Sequence, residues 1–235
     1  MRVAIVENTA ITHHGQVGVA LHEAGARIAQ YRPWMDGTLP DPASFDALVV
    51  FGGEQSALSD ESHPYLPRLA DLMADRAARG TAVLGICLGA QVLARGLGAE
   101  NRLDGAREFG WHPVTLTEAG RHDPVLSGVP GVFPIFEWHA DTFTAPPGAQ
   151  HLAGTALADQ QAFRFGRAGY GMQFHFEASR AVVADWTRVF PDLVERLEPG
   201  WTAALPARAA EVGAQADAHG LAIARAWVAQ VLPPG

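Results

Sequence analysis

The segment Ala82-Val83-Leu84-Gly85-Ile86-Cys87-Leu88-Gly89-Ala90-Gln91 changes character at its centre. Ala82–Ile86 is apolar throughout, as a strand buried on both faces is. Leu88–Leu97 continues at helical spacing, and Gly85 and Gly89 flank the junction. A buried strand that runs straight into a helix is the building unit of a parallel α/β sheet. The flanking sequence repeats it. Val3–Val6 is a short apolar run, followed by an amphipathic stretch over Gly15–Ala24 that Gly25 stops. Arg27–Tyr31 reads as a second strand. Ala47–Phe51 is a continuous apolar run ending in Gly52-Gly53. Pro64–Arg79 carries Leu66, Leu69, Leu72, Met73 and Ala77 at helical spacing, and Gly80 follows as a stop. The fold class is therefore α/β: an open, mostly parallel sheet with helices on both faces.

From Arg107 the texture changes to strands and turns. Phe109–Thr117, Val132–Phe143, Gln161–Phe165 and Tyr170–Phe176 are expected strands, with Pro134 blurring the start of the second. After Ser179 the chain becomes helical, with Val182, Trp186, Val189, Leu193 and Leu197 in step and Pro191 splitting the run. Pro206–Leu232 is alanine-rich, with Val212, Ala216, Ile223, Trp227 and Val231 on one stripe. The expected organisation is one α/β domain over residues 1–178 and a helical C-terminal extension over residues 179–235 packed on it.

Composition removes several classes of chemistry. The 235 residues are 48% apolar and 18% charged, a globular balance. Cys87 is the single cysteine, so neither an internal disulfide nor a multi-cysteine metal cluster can form. No lysine is present; all seventeen basic residues are arginine. Schiff-base chemistry and a phosphate-loop lysine are excluded with it. The net charge of −8 disfavours nucleic-acid binding. No apolar run is long enough to span a membrane, and the N-terminal run is too short for a signal peptide, so a cytoplasmic location is expected. No His/Cys/carboxylate group shows metal-ligand spacing, and no cofactor is called for.

The glycine-flanked Cys87 has the G-x-nucleophile-x-G pattern of a nucleophile elbow, a strained turn that lifts a side chain out at the end of a strand. At a helix N-terminus, the dipole and free N–H groups favour the thiolate. An isolated cysteine more often packs as a small hydrophobe; the elbow context points instead to a nucleophile. A nucleophile of this kind needs a base and the base an orienting group. In Tyr170-Gly171-Met172-Gln173-Phe174-His175-Phe176-Glu177, strand alternation puts His175 and Glu177 on one face. His13, His14, His22 and His63 have no evident partner and read as structural.

Four segments together resemble the class I, triad-type glutamine amidotransferases, especially stand-alone domains similar to the glutaminase half of GMP synthase. They are Phe51-Gly52-Gly53-Glu54-Gln55-Ser56, Gly85–Gln91, Glu137-Trp138-His139-Ala140-Asp141 and Gly171–Glu177, in matching order across residues 1–178. The resemblance implies a flavodoxin-like fold and a Cys87–His175–Glu177 triad. Cys87 attacks the glutamine amide carbon and forms a γ-glutamyl thioester; His175, held by Glu177, moves the protons. The backbone N–H groups of Gly53 and Leu88 form the oxyanion hole, with Gly52 allowing close approach. Gln91, His139 and Asp141 are implied substrate contacts. From the residues alone, Gly52-Gly53 is also a strand-end turn, Gln91 an exposed helix residue and Asp141 a turn former.

Two positions depart from the family pattern. Phe176 replaces the usual proline between base and orienter, which predicts a looser backbone there. Glu54 follows Gly53 where proline is usual, and is expected to face solvent. The implied activity is that of a glutaminase serving a synthetase partner subunit. The alternatives are a stand-alone γ-glutamyl hydrolase or peptidase, and a catalytically silent interaction protein.

Overall fold

The computed structural model describes residues 1–231. In chain order the elements are β1 (Arg2–Val6), α1 (Gly15–Glu23), β2 (Arg27–Tyr31), α2 (Pro33–Asp36), β3 (Ala47–Val50), α3 (Leu66–Ala78), β4 (Ala82–Ile86), α4 (Leu88–Gly96), β5 (Asn101–Arg102) and β6 (Glu108–Leu116). There follow α5 (Glu118–Arg121), β7 (Val132–His139), β8 (Thr142–Phe143), β9 (Gln150–Gly154), β10 (Ala162–Phe165), β11 (Gly169–Met172), α6 (Arg180–Val189), α7 (Pro191–Leu197), α8 (Trp201–Arg208) and α9 (Ala214–Val228). Among the described residues no helix is long and apolar enough to cross a membrane.

Nine strands form one sheet in the order β2-β1-β3-β4-β11-β10-β9-β6-β7. The first five are parallel, and the remaining four extend the sheet in antiparallel fashion. Alternation along β1 shows how both faces are covered. Val3 and Ile5 pack with Val17 and Leu21 of α1 and with Ile223 and Trp227 of α9. Ala4 and Val6 pack on the opposite face with Leu66, Leu69 and Met73 of α3 and Val92 and Leu93 of α4. This is the flavodoxin-like arrangement. A third apolar cluster joins Phe109 and Phe136 of the antiparallel strands to Val182, Val183 and Trp186 of α6, Val194 of α7 and Trp201 of α8.

Several sequence expectations change. The strand expected over Tyr170–Phe176 stops at Met172, which lies opposite Ile86, the last residue of β4. Beyond that rung the Gln173 N–H still donates to Gln161 O at 2.8 Å, and the chain then turns. Val132–Phe143 divides into β7 and β8, with a bend at Ala140-Asp141. Pro134 is tolerated because β7 is an edge strand. The strand β9 was not anticipated. Pro206 does not start a helix but lies inside α8, and the chain then passes through a π-helical turn over Ala209–Gly213. Proline withholds the N–H that the preceding turn requires. Ala216, Ile223, Trp227 and Val231 are buried as a stripe, whereas Val212, in the π turn, is half-buried. Leu232, expected to end the last helix, and the rest of the extension to residue 235 lie outside the described residues.

Candidate active site

Cys87 sits at the junction of β4 and α4 with φ 52° and ψ −111°. A non-glycine residue in this region is strained by about 1–3 kcal/mol and persists only where its surroundings impose it. The two glycines explain how they do. A Cβ on Gly85 would lie 2.3 Å from the carbonyl oxygen of Gly89, and one on Gly89 would lie 2.0 Å from that of Val50. The turn is thus pressed against itself and against β3. The Cys87 N–H donates to Met172 O at 2.8 Å, which ties the turn to β11. The residue is 8% exposed, and Sγ lies 3.7 Å from the carbonyl oxygen of Trp138.

His175 and Glu177 lie in the turn after β11 rather than on a strand, so alternation does not pair them. Tertiary contacts do. His175 N–H donates to Phe136 O at 2.8 Å, forming an isolated bridge to β7. The Gln16 N–H, at the start of α1, donates to Glu177 O at 2.9 Å. The result is an Nδ1–Oε1 hydrogen bond of 2.7 Å between His175 and Glu177. Burial alone would lower the imidazole pKa, but the Glu177 carboxylate and the Cys87 sulfur hold it well above the usual histidine value. The backbone at Phe176, where proline would stiffen it, is packed from two sides. Its ring is buried in the core, and α9 lies against its carbonyl, 2.1 Å from where a Cβ on Gly220 would stand.

The loop after β3 completes this side. A Cβ on Gly52 would come within 3.4 Å of His175 Cε1 and 3.9 Å of Cys87 Sγ, so any side chain there would fill the space between them. At Gly53 a Cβ would meet Leu88 Cδ2 and Asn8 Cβ, each at 2.9 Å. The loop is held by residues that the sequence did not single out. Asn8 Nδ2 donates to Phe51 O at 2.8 Å, Tyr65 donates to Asn8 Oδ1 at 3.0 Å, and Gln55 Nε2 donates to both Tyr65 Oη and Asn8 O. Glu54 is exposed, as expected, with Thr9 Oγ1 at 3.4 Å. Leu88 is the first residue of α4, so its N–H has no acceptor within the helix.

Two other expectations are corrected here. Gln91 is buried, not exposed, and its Nε2 donates to Gln173 Oε1 at 3.1 Å and Asp141 O at 3.3 Å. His13 and His14 do have partners: His13 meets Asp185 at 2.9 Å, and His14 meets Glu7 at 2.8 Å. His22 and His63 lie away from the cavity. Asp141 accepts a hydrogen bond from the Asp104 N–H at 3.0 Å, so it also serves the turn.

The His139 imidazole is almost wholly buried, with 1% of its side chain exposed. Its Nδ1 lies 2.9 Å from Asp141 O, and its Nε2 lies 3.2 Å from Glu108 and 3.4 Å from Glu137. These three titratable groups, buried and within 4.8 Å of one another, form the kind of cluster that sequence spacing had not disclosed. Glu108 and His139 are paired residues of β6 and β7, separated by thirty-one positions in the chain. With acceptors on both nitrogens, the imidazole is a cation between two carboxylates. Burial would depress its pKa, but Glu108 and Glu137 raise it to about 10. Burial raises the pKa of Glu137. Burial pushes Glu108 in the same direction, but hydrogen bonds from His139 and Thr155 outweigh it and leave a lowered pKa.

Cys87, His175, Glu177, Gly52, Gly53, Leu88, Gln91 and Asp141 share the wall of one cavity of about 350 Å³. Its far side is apolar, built by Trp138 together with Trp186, Phe190, Leu193 and Leu197 of the C-terminal helices. Trp186 meets the His175 ring edge-on at a centroid distance of 5.2 Å.

This architecture has known counterparts. The chain is 33% identical over 181 residues to a glutamine amidotransferase-like protein, YfeJ, of Salmonella typhimurium, covering 75% of this chain and 76% of that one. It is 35% identical over 177 residues to one subunit of the glutamine-hydrolysing GMP synthase of Methanoregula boonei, covering 73% and 89%. The structure of a glutamine amidotransferase from Thermotoga maritima superposes with a TM-score of 0.86 over 99% of both chains at 24% identity, a likeness of fold. The family model for class I glutamine amidotransferases matches residues 20–183, which include the elbow, the loop after β3 and the turn carrying His175 and Glu177. On that match, the chain belongs to the class I glutamine amidotransferase family.

Proposed function

We propose that the chain hydrolyses the side-chain amide of glutamine through a γ-glutamyl thioester on Cys87. The observation that carries this reading is the strained Cys87 facing the same cavity as a His175 bound to Glu177 at 2.7 Å. Cys87 Sγ bonds to the amide carbon while His175 gives a proton to the departing nitrogen, and ammonia leaves. His175 then takes a proton from water, whose oxygen attacks the thioester; the C–S bond breaks and the thiol is regenerated. Glu177 fixes the imidazole with Nδ1–H towards itself and Nε2 free for the transfer.

The oxyanion falls to the N–H groups of Gly53 and Leu88, donors aimed at charge that develops only in the transition state. Gly52 leaves room for the substrate, and Gln91 and Asp141 contact it, Asp141 pairing with the α-ammonium. His139 lines the cavity with its imidazole almost wholly buried, and through the contact of its Nδ1 with Asp141 O it shapes the Trp138–Asp141 segment. The helical extension that starts at residue 179 packs, over the described residues to 231, on the domain of residues 1–178. The ammonia goes to a synthetase partner, by analogy with relatives named GMP synthase.

The test is treatment with a glutamine-mimicking electrophile at neutral pH, followed by peptide mapping, together with ammonia release from glutamine by wild type and Cys87→Ala. Labelling confined to Cys87, with ammonia release lost in the variant, is expected. An unlabelled Cys87 would leave an interaction protein with an idle triad.

A further inference from the structure

Glutamine accounts for only one end of the cavity. A volume of about 350 Å³ lies in the range of sites that enclose a drug-sized ligand, about 300–1,000 Å³, more than a five-carbon amino acid fills. The other end is made of Ile11, Trp138, Trp186, Phe190, Leu193 and Leu197. Phe190, Leu193 and Leu197 are half-buried, leaving apolar surface open to the cavity. Trp138 packs edge-on against Trp186 at 5.6 Å and Phe190 at 5.8 Å, so the wall is a braced aromatic face.

The position of this wall relates it to the reaction. His175 delivers the proton to the departing nitrogen, and Trp186 stands against the His175 ring. A substituent on that nitrogen would therefore extend along the Trp186 side, not towards Gln91 and Asp141. Charge narrows the substituent further. No arginine lines the cavity among the described residues, and the three lining histidines already face carboxylates: His13 with Asp185, His139 with Glu108, His175 with Glu177. Glu54 and Asp141 add negative charge at the rim. Nothing there would neutralise a carboxylate on the leaving group.

Resting on the thioester reading above, we infer that the chain's preferred substrates are γ-glutamyl amides of apolar or aromatic amines that bear no carboxylate. Cys87 Sγ bonds to the γ-carbonyl carbon, the C–N bond breaks, and the proton from His175 leaves with the amine. Water then cleaves the C–S bond, so each cycle converts one γ-glutamyl amide and one water into glutamate and the free amine.

The experiment compares kcat/KM for glutamine, γ-glutamylmethylamide, γ-glutamylphenethylamide and γ-glutamylphenylalanine, the last two differing by one carboxylate. The phenethylamide is expected to exceed both glutamine and γ-glutamylphenylalanine by at least about tenfold, the scale on which an apolar pocket discriminates. Leu193→Asn and Leu197→Asn are each expected to shrink the phenethylamide-to-glutamine ratio severalfold, chiefly through KM. The use of a ratio within one variant removes any general loss of folded enzyme. Glutamine turned over as well as the phenethylamide, or γ-glutamylphenylalanine matching it, overturns the inference and leaves the thioester reading intact. If Cys87 is labelled by the electrophile yet no aryl amide is cleaved, the apolar wall serves something other than substrate, and the inference again fails alone. If Cys87 is unlabelled and no compound is cleaved, both readings fall.

Discussion

A Cβ on Gly220 of α9 would stand 2.1 Å from the carbonyl oxygen of Phe176, the residue that links His175 to Glu177. The last helix is therefore the floor under the base and its orienting group. Gly220→Ala is expected to push that turn towards the cavity. Because displacements of about 1 Å cost on the order of 100-fold in rate, kcat should fall by about 10- to 100-fold with little change in KM. Steady-state kinetics beside circular dichroism check it; an unchanged kcat in a folded variant means that α9 gives way instead of the turn.

Cys87 holds a conformation that suits glycine better than cysteine, with φ at 52°. Cys87→Gly is expected to abolish amide hydrolysis and raise unfolding stability by about 1 kcal/mol, part of the stored strain. Cys87→Ala, which keeps the strained φ, should lose activity without that gain. Urea denaturation of the three proteins measures the difference.

His139 separates two buried carboxylates. Its removal in His139→Ala leaves Glu108 and Glu137 side by side without a cation, a change expected to cost about 3–5 kcal/mol, the usual penalty for breaking a buried pair. Adding Glu137→Gln to that variant should restore part of the loss. Thermal denaturation of the single and double variants decides whether the charges interact as described.

The same imidazole predicts a pH dependence. Its pKa in the folded protein, about 10, exceeds the 6.5 of a free histidine. Its contribution to stability is therefore fully present below pH 6.5 and is lost progressively as the pH rises towards 10. Denaturation midpoints measured from pH 6 to 10 should decline in wild type and decline less in His139→Gln.

Glu54 is exposed beside the loop after β3. Glu54→Gln is expected to change turnover by less than about twofold, since a solvated carboxylate is screened from charge forming on the substrate. A large gain in turnover would show that the carboxylate points inward.

Local pattern was sufficient for the parallel half of the sheet. Apolar runs and glycine stops marked β1, β3, β4 and their helices, because a strand covered on both faces must be apolar at every position. The elbow was equally legible, since Gly85 and Gly89 are small for reasons that act within a few residues and at the adjoining strand. His175 and Glu177 were also found, but on the wrong grounds: they share no strand, and their 2.7 Å contact depends on Phe136 and Gln16, which lie far away in the chain. The cluster of Glu108, Glu137 and His139 left no mark in local spacing because antiparallel pairing, not sequence proximity, brings it together. The aromatic wall likewise read only as a helical stripe over Val182–Leu197. The sequence by itself determined the strand-to-helix turn that strains Cys87, because Gly85 is pressed against Gly89 only four residues away. Only the tertiary structure decided what surrounds that sulfur: a base held between β7 and α1, a floor supplied by α9 and an apolar chamber closed by α6 and α7.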